Sequence, residues 1–161
     1  MHPSFKYLAL LAAVVSLGAC NPNAAGSGGA DGSGSGAGGN AAPGTQEDLA
    51  VNVGDRVLFG YDSAAIDGEG QAVLERQAAW LKEHGELAVT VEGHADERGT
   101  REYNIALGER RAHATKKYLV GLGVAESRIS TVSYGKERPA VVGSDDTSYA
   151  QNRRAVTVVN Q

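Results

Sequence analysis

The chain has 161 residues, 22 of them glycine, with 15 Lys and Arg against 19 Asp and Glu for a net charge of −4. No basic tract stands clear of the acids around it, which excludes a nucleic-acid partner, because phosphate contacts need clustered Lys and Arg. The single cysteine, Cys20, rules out an internal disulfide and any metal site built from several thiolates.

Residues 1–6 form a short, weakly basic start, followed by an apolar run over residues 7–17. Eleven residues at ~1.5 Å of helical rise cover about 16 Å, roughly half the hydrocarbon thickness of a bilayer. The run therefore reads as the apolar centre of a signal peptide and not as a membrane span. Leu17-Gly18-Ala19-Cys20 closes it and resembles a lipobox, where cleavage precedes a lipid-modified cysteine. Residues 1–19 are thus expected to be removed, leaving Cys20 with an N-acyl (palmitate-type) chain and an S-diacylglycerol. More than one acyl chain is what stable anchoring requires. Asn21 stands where an Asp would favour inner-membrane retention, so the expected destination is the outer membrane, with the folded part facing the periplasm. Nine of the glycines fall between Asn21 and Gly44, too little apolar surface to offset the backbone entropy of folding. Residues 20–45 are read as a tether, with an r.m.s. span of about 25–30 Å and an extended reach of about 80–90 Å.

Residues 46–161 remain, about 115 in number and enough for one domain with one core. Residues 56–59 read as a buried strand. Asp67 is placed to cap a helix over residues 68–84, with Gly85 as its stop. Alternation of Leu87, Val89 and Val91 makes residues 87–92 a strand. A loop over residues 93–100 leads to a long helix over residues 101–120, ended by Gly121 and Gly123. Residues 129–134 and 154–159 are two further strands. The order β-α-β-α-β-β predicts an α/β (α+β) sandwich: two main helices on one face of a four-stranded mixed sheet. Trp80 is assigned to the core, and His84 and His113 to the solvent side.

One residue of the second helix breaks its pattern. The stripe Tyr103, Leu107, Ala114, Tyr118 and Leu122 is read as core-facing, and Arg111 lies on it. A buried guanidinium is costly unless it is answered, so Arg111 needs an acidic partner, a route to water, or a ligand. Asp62, Asp96 and Glu97 are the nearest candidate acids, on loops at strand ends, where α/β sheets place ligands. A structural salt bridge or a snorkelling side chain is the plainer account.

Residues 91–99, VEGHADERG, followed by Asn104, Leu107, Arg111-Ala112 and Leu119, resemble the peptidoglycan-binding signature of OmpA-like domains. VSYGKERPA at 132–140 and NRRAV at 152–156 extend the resemblance across the folded part, and the leader fits lipoproteins of this class. The resemblance implies a non-enzymatic receptor for the stem peptide of peptidoglycan, centred on meso-diaminopimelate, with no cofactor, no metal and no catalytic residue. By the same match Asp96 takes the ligand's ammonium and Arg111 grips its carboxylate. Tyr61 and Asp62 line the pocket, Leu107 packs beneath the ligand, and Asn104 steadies the loop. TolB and other Tol-system proteins are the implied protein partners, in envelope integrity and constriction at cell division. Thr115 stands where the family favours Val, and Tyr61 where Phe is commoner.

His94 is read as a structural residue holding its loop by hydrogen bonds, and Arg153 and Arg154 as partners of nearby acids. The rival reading is a periplasmic metal-dependent hydrolase of cell-wall material using Asp62, His94 and Asp96; it lacks further evident ligands.

Overall fold

The computed structural model describes residues 41–160. The expected signal segment, the Cys20 expected to carry lipid and the expected tether as far as residue 40 lie outside the described residues. Among these residues the chain forms α1 (Gln46–Asp48), β1 (Arg56–Leu58), α2 (Gly68–Glu83), β2 (Val89–His94), α3 (Arg101–Gly121), β3 (Ile129–Gly135), α4 (Asp146–Asn152) and β4 (Arg154–Val159). The strands lie in the order β1-β4-β2-β3, with β2 and β3 parallel and the other pairs antiparallel. This is the expected mixed four-stranded sheet.

The two long helices share one face of it. Val57, Ala155 and Gly93 pair across β1, β4 and β2, so they point to one side. Val57 meets α2 at Gly70, and Gly93 meets α3 at Gly108. Between these layers lies one core, which includes Leu74, Leu81, Val89, Val91, Ala112 and Leu119. Trp80 belongs to it, with its indole N–H donating to Asp48 at 2.8 Å. The Asp67 side chain caps α2 by accepting from the Gly70 N–H at 2.8 Å.

Four sequence expectations are corrected. The second strand starts at Val89 and runs on to His94, so Gly93 and His94 belong to the sheet, not the loop. The buried face of α3 is Asn104, Leu107, Gly108, Arg111, Ala112, Thr115 and Leu119. Of the expected stripe, Leu107 and Arg111 are buried, while Tyr103 is exposed and Ala114, Tyr118 and Leu122 are only half-buried. The face turned to the sheet is the one that carries Gly108, where a Cβ would stand 2.7 Å from the Gly93 carbonyl oxygen. His84 is half-buried against the Trp80 ring, 4.7 Å between centroids, whereas His113 is exposed. Arg154 is buried and bonds carbonyls, Asn152 O at 3.4 Å and Arg138 O at 3.2 Å, in place of an acid.

Two short helices lie outside the expected pattern. Thr45 caps α1 by accepting from the Asp48 N–H at 3.2 Å, and a wide turn over Leu49–Val53 continues it and buries Leu49. The Gln46 side chain ties this segment to β4, accepting from the Val159 N–H at 2.8 Å and donating to the Thr157 carbonyl at 3.3 Å. Asp145 caps α4 through the Thr147 and Ser148 N–H groups, both at 2.9 Å.

Candidate functional site

β1 and β2 run in the same direction, both antiparallel to β4. The loops leaving β1 and β2 therefore meet the start of β4 at one end of the sheet. There they enclose, with α3, a cavity of about 170 Å³. Tyr61, Asp62, Asp96, Asn104, Leu107 and Arg111, six residues drawn from three separate segments, all line it. Four more join them: Arg98, Gly99, Tyr103 and Arg153. The ring of His94 is not among the lining groups.

Arg111 sits at the centre of α3, not near its N-terminus, and its side chain is fully buried. Among the described residues no carboxylate lies within ion-pair distance of it. It donates instead to three backbone carbonyls: Nη1 to His94 at 2.7 Å, Nε to Ser63 at 2.8 Å and Nη2 to Gly60 at 3.0 Å. A guanidinium has five N–H donors, so these three bonds leave two for a ligand. Burial, and then the nearby charge of Arg153, lower its pKa to about 10, so it stays charged at neutral pH. The expected choice between an acid, water and a ligand thus has a further answer, a set of carbonyls from two loops.

Asp96 is buried as well, and it carries two cations of its own chain. Its Oδ2 lies 2.6 Å from Arg98 Nη2 and 3.5 Å from Arg153 Nη1. Burial alone would raise its carboxyl, but the hydrogen bonds and charge of Arg98, with Arg153 behind, hold it below the ordinary carboxylate value. Arg153 is itself held by the Phe59 carbonyl at 2.9 Å.

The loop carrying Asp96 is fastened at several points. The Ala95 N–H donates to Gly135 at 2.8 Å, and the Asn104 amide to the Arg98 carbonyl at 2.8 Å. Lys136 Nζ bridges the Glu97 and Gly99 carbonyls at 3.1 and 2.7 Å. His94 contributes through its carbonyl, toward Arg111, while neither of its ring nitrogens has a hydrogen-bond partner among the described residues. This replaces the expectation that its ring holds the loop.

Asp62 is the only non-glycine among the described residues with positive φ, at 49°. That left-handed geometry costs about 1–2 kcal/mol for a residue with a Cβ, and Asp tolerates it better than most. It turns the carboxylate toward α3, where the Tyr103 hydroxyl donates to it. The cavity wall thus holds three guanidiniums, of Arg98, Arg111 and Arg153, and two carboxylates, of Asp62 and Asp96. It presents both signs of charge to whatever enters.

A model of the OmpA family matches residues 58–153. The peptidoglycan-associated lipoprotein of Agrobacterium fabrum is 54% identical over 138 residues, covering 86% of this chain and 75% of that one. This chain belongs to the OmpA family, among its peptidoglycan-associated lipoproteins. The Haemophilus influenzae member is 44% identical over 159 residues, which takes in 97% of this chain and 98% of the relative. The crystal structure of the Burkholderia pseudomallei peptidoglycan-associated lipoprotein superposes with a TM-score of 0.64 at 43% identity, over 66% of this chain and 90% of that one. Every residue lining the cavity, from Tyr61 to Arg153, lies inside the OmpA-family match.

Of the residues lining this cavity, the sequence reading missed Arg98, Gly99 and Tyr103 and gave Arg153 no place in the pocket. Arg98 sits two residues from Asp96 within the same motif, so proximity alone could have flagged it. Arg153 is 57 residues from Asp96, and only the antiparallel return of β4 brings it there.

Proposed function

We propose that this chain binds peptidoglycan non-covalently through the meso-diaminopimelate of its stem peptide and so ties the outer membrane to the cell wall. The observation that carries this reading is the convergence of Asp96 and Arg111, one anion and one cation, on a single cavity. A carbon bearing both an ammonium and a carboxylate needs such a pair, with the spare N–H groups of Arg111 on the carboxylate and Asp96 on the ammonium. Leu107, Tyr61 and Asp62 wall the ligand, and Asn104 holds the loop through the Arg98 carbonyl. The relatives' name supports the polymer, and the lipobox-like Leu17-Gly18-Ala19-Cys20 supports an acylated Cys20 in the outer membrane with the domain in the periplasm. TolB and other Tol proteins belong to the same reading as partners during envelope constriction at division.

Binding without turnover fits the site better than hydrolysis. The described residues hold no group of three or more His, Cys, Asp and Glu side chains able to bind a metal ion. The His94 ring lies away from the cavity, 5.6 Å from the Tyr134 ring and 3.6 Å from Glu92. The test is co-sedimentation of the chain lacking residues 1–40 with purified sacculi, competed by a diaminopimelate-containing muropeptide. Asp96→Ala should abolish capture while the fold stays cooperative. Undiminished capture by that variant would sink the site assignment, and release of soluble muropeptides by wild type would favour the hydrolase.

A further inference from the structure

The carboxylate assigned to the ligand's ammonium is already fully occupied. Asp96 Oδ1 accepts from the Arg98 backbone N–H at 3.1 Å and from Arg98 Nε at 3.2 Å. Its Oδ2 accepts from Arg98 Nη2 at 2.6 Å and, more distantly, from Arg153 Nη1 at 3.5 Å. A carboxylate offers about four acceptor positions, and all are taken by this chain. Three of the four belong to one residue.

The Arg98 guanidinium also lies against two aromatic rings. Its central carbon lies 4.3 Å from the centre of the Tyr61 ring and 4.4 Å from that of Tyr149, within cation–π range of each. Tyr149 is held in turn by a hydrogen bond from its hydroxyl to Glu97 at 2.8 Å. The carboxylate and the two rings together make a cage for a cation, and Arg98 fills it.

The three guanidiniums of the cavity are not equally free to move. Arg111 is fully buried on three carbonyls, and Arg153 is fastened to Phe59 O. The Arg98 side chain is 37% exposed, and its bonds other than the stacking all go to Asp96. Its backbone is pinned through the Asn104 amide and the Lys136 bridge, so the side chain can swing out without disturbing the loop.

We propose that Arg98 is an internal competitor for the ligand's ammonium and sets the selectivity of the site. Binding is then an exchange: Arg98 Nε and Nη2 leave the two Asp96 oxygens, the ammonium takes their places, and the Arg98 backbone N–H stays on Oδ1. The charge on Asp96 is balanced before and after, so the empty site does not hold a bare buried anion. A ligand with an ammonium alone gains little from the swap. One that also presents a carboxylate to Arg111 gains a contact that Arg98 cannot supply.

This inference rests on the peptidoglycan reading, and its test separates the two. The full chain, purified in detergent, is titrated calorimetrically with a soluble diaminopimelate-containing muropeptide, as wild type, Arg98→Ala, Tyr149→Leu and the double variant, with circular dichroism confirming each fold. Arg98→Ala should bind about two- to fivefold tighter, the scale expected for removing a partly exposed ion pair that competes with the ligand. Tyr149→Leu, which takes away one ring without lining the cavity, should bind tighter by less. The double variant should match Arg98→Ala, because the ring acts only through the guanidinium. Wild-type binding with unchanged or weaker binding by Arg98→Ala overturns the exchange and leaves the peptidoglycan reading standing. Absence of binding in all four proteins overturns the peptidoglycan reading, and the exchange with it.

Discussion

Gly93 of β2 and Gly108 of α3 meet backbone to backbone. A Cβ on Gly93 would overlap the Gly108 carbonyl oxygen, and one on Gly108 would stand 2.7 Å from the Gly93 carbonyl oxygen. This contact fixes how closely the long helix lies on the sheet. It also sets the cavity, because Asp96 follows Gly93 by three residues along one element and Arg111 follows Gly108 by one helical turn along the other. Gly93→Ala should therefore cost at least about 3 kcal/mol, the upper range for overpacking where neither neighbour is a flexible side chain. Chemical denaturation measures it, and a loss below about 1 kcal/mol would show that the layers can part freely.

Arg111 and Asp96 should behave differently when removed, although both belong to the proposed ligand pair. Arg111 holds the carbonyls of Gly60, Ser63 and His94, and buried acceptors left unpaired cost about 1–3 kcal/mol each before relaxation. Arg111→Ala is expected to lose peptidoglycan binding and about 3 kcal/mol or more of stability together. Asp96→Asn keeps an oxygen for the Arg98 N–H, leaves the partly exposed Arg98 able to reach water, and leaves Arg153 its bond to the Phe59 carbonyl. It is expected to lose binding at a stability cost of about 1 kcal/mol. Equal destabilisation in the two variants would remove the distinction between a structural guanidinium and a ligand-reading carboxylate.

The strands and long helices were legible because their signals are local. Val89 and Val91 alternate, Asp67 caps, and glycines end both helices. The short helices were not, since α1 has three residues and α4 seven, and their Thr, Ser, Asp and Asn read equally as turns. The buried face of α3 was misread for a different reason. Asn104, Gly108, Arg111 and Thr115 are small or polar, so a search for large apolar residues follows the neighbouring face instead. Arg111 still announced itself, because a cation beside Leu107 and Ala112 needs partners. What sequence could not supply was their identity: the carbonyls of Gly60 and Ser63 come from a loop about fifty positions away.

Thr115 is buried in α3, and its hydroxyl has no hydrogen-bond partner among the described residues. Its β-branched shape suits the packing, but an unpaired buried hydroxyl carries a desolvation cost of about 1–3 kcal/mol. Thr115→Val keeps the shape and removes the polar atom. The variant should gain about 1 kcal/mol, read as a higher denaturation midpoint at unchanged slope, with muropeptide binding unaffected because Thr115 does not line the cavity. A loss of stability would mean that the hydroxyl has a partner in solution.

His94 gives the fold a dependence on pH with a definite sign. The residue is 1% exposed, and burial, followed by the charge of Arg154, lowers its pKa from 6.5 to about 4. The Arg138 backbone beside the ring favours the proton but does not reverse this. Above 6.5 the imidazole is neutral in both the folded and unfolded chains and contributes nothing to the pH slope. Between 6.5 and about 4 only the unfolded chain takes up the proton, so stability falls as pH falls and levels off for this group below about 4. At about 1.4 kcal/mol per pH unit the whole window is worth about 3 kcal/mol. His94→Gln has no such proton to bind, and its stability should decline less steeply than wild type from pH 6.5 down to 4.5, above the range where the depressed carboxylate of Asp96 begins to protonate. Denaturation midpoints taken across that window check it, and parallel curves for the two proteins would show that the buried imidazole accepts its proton in the folded state.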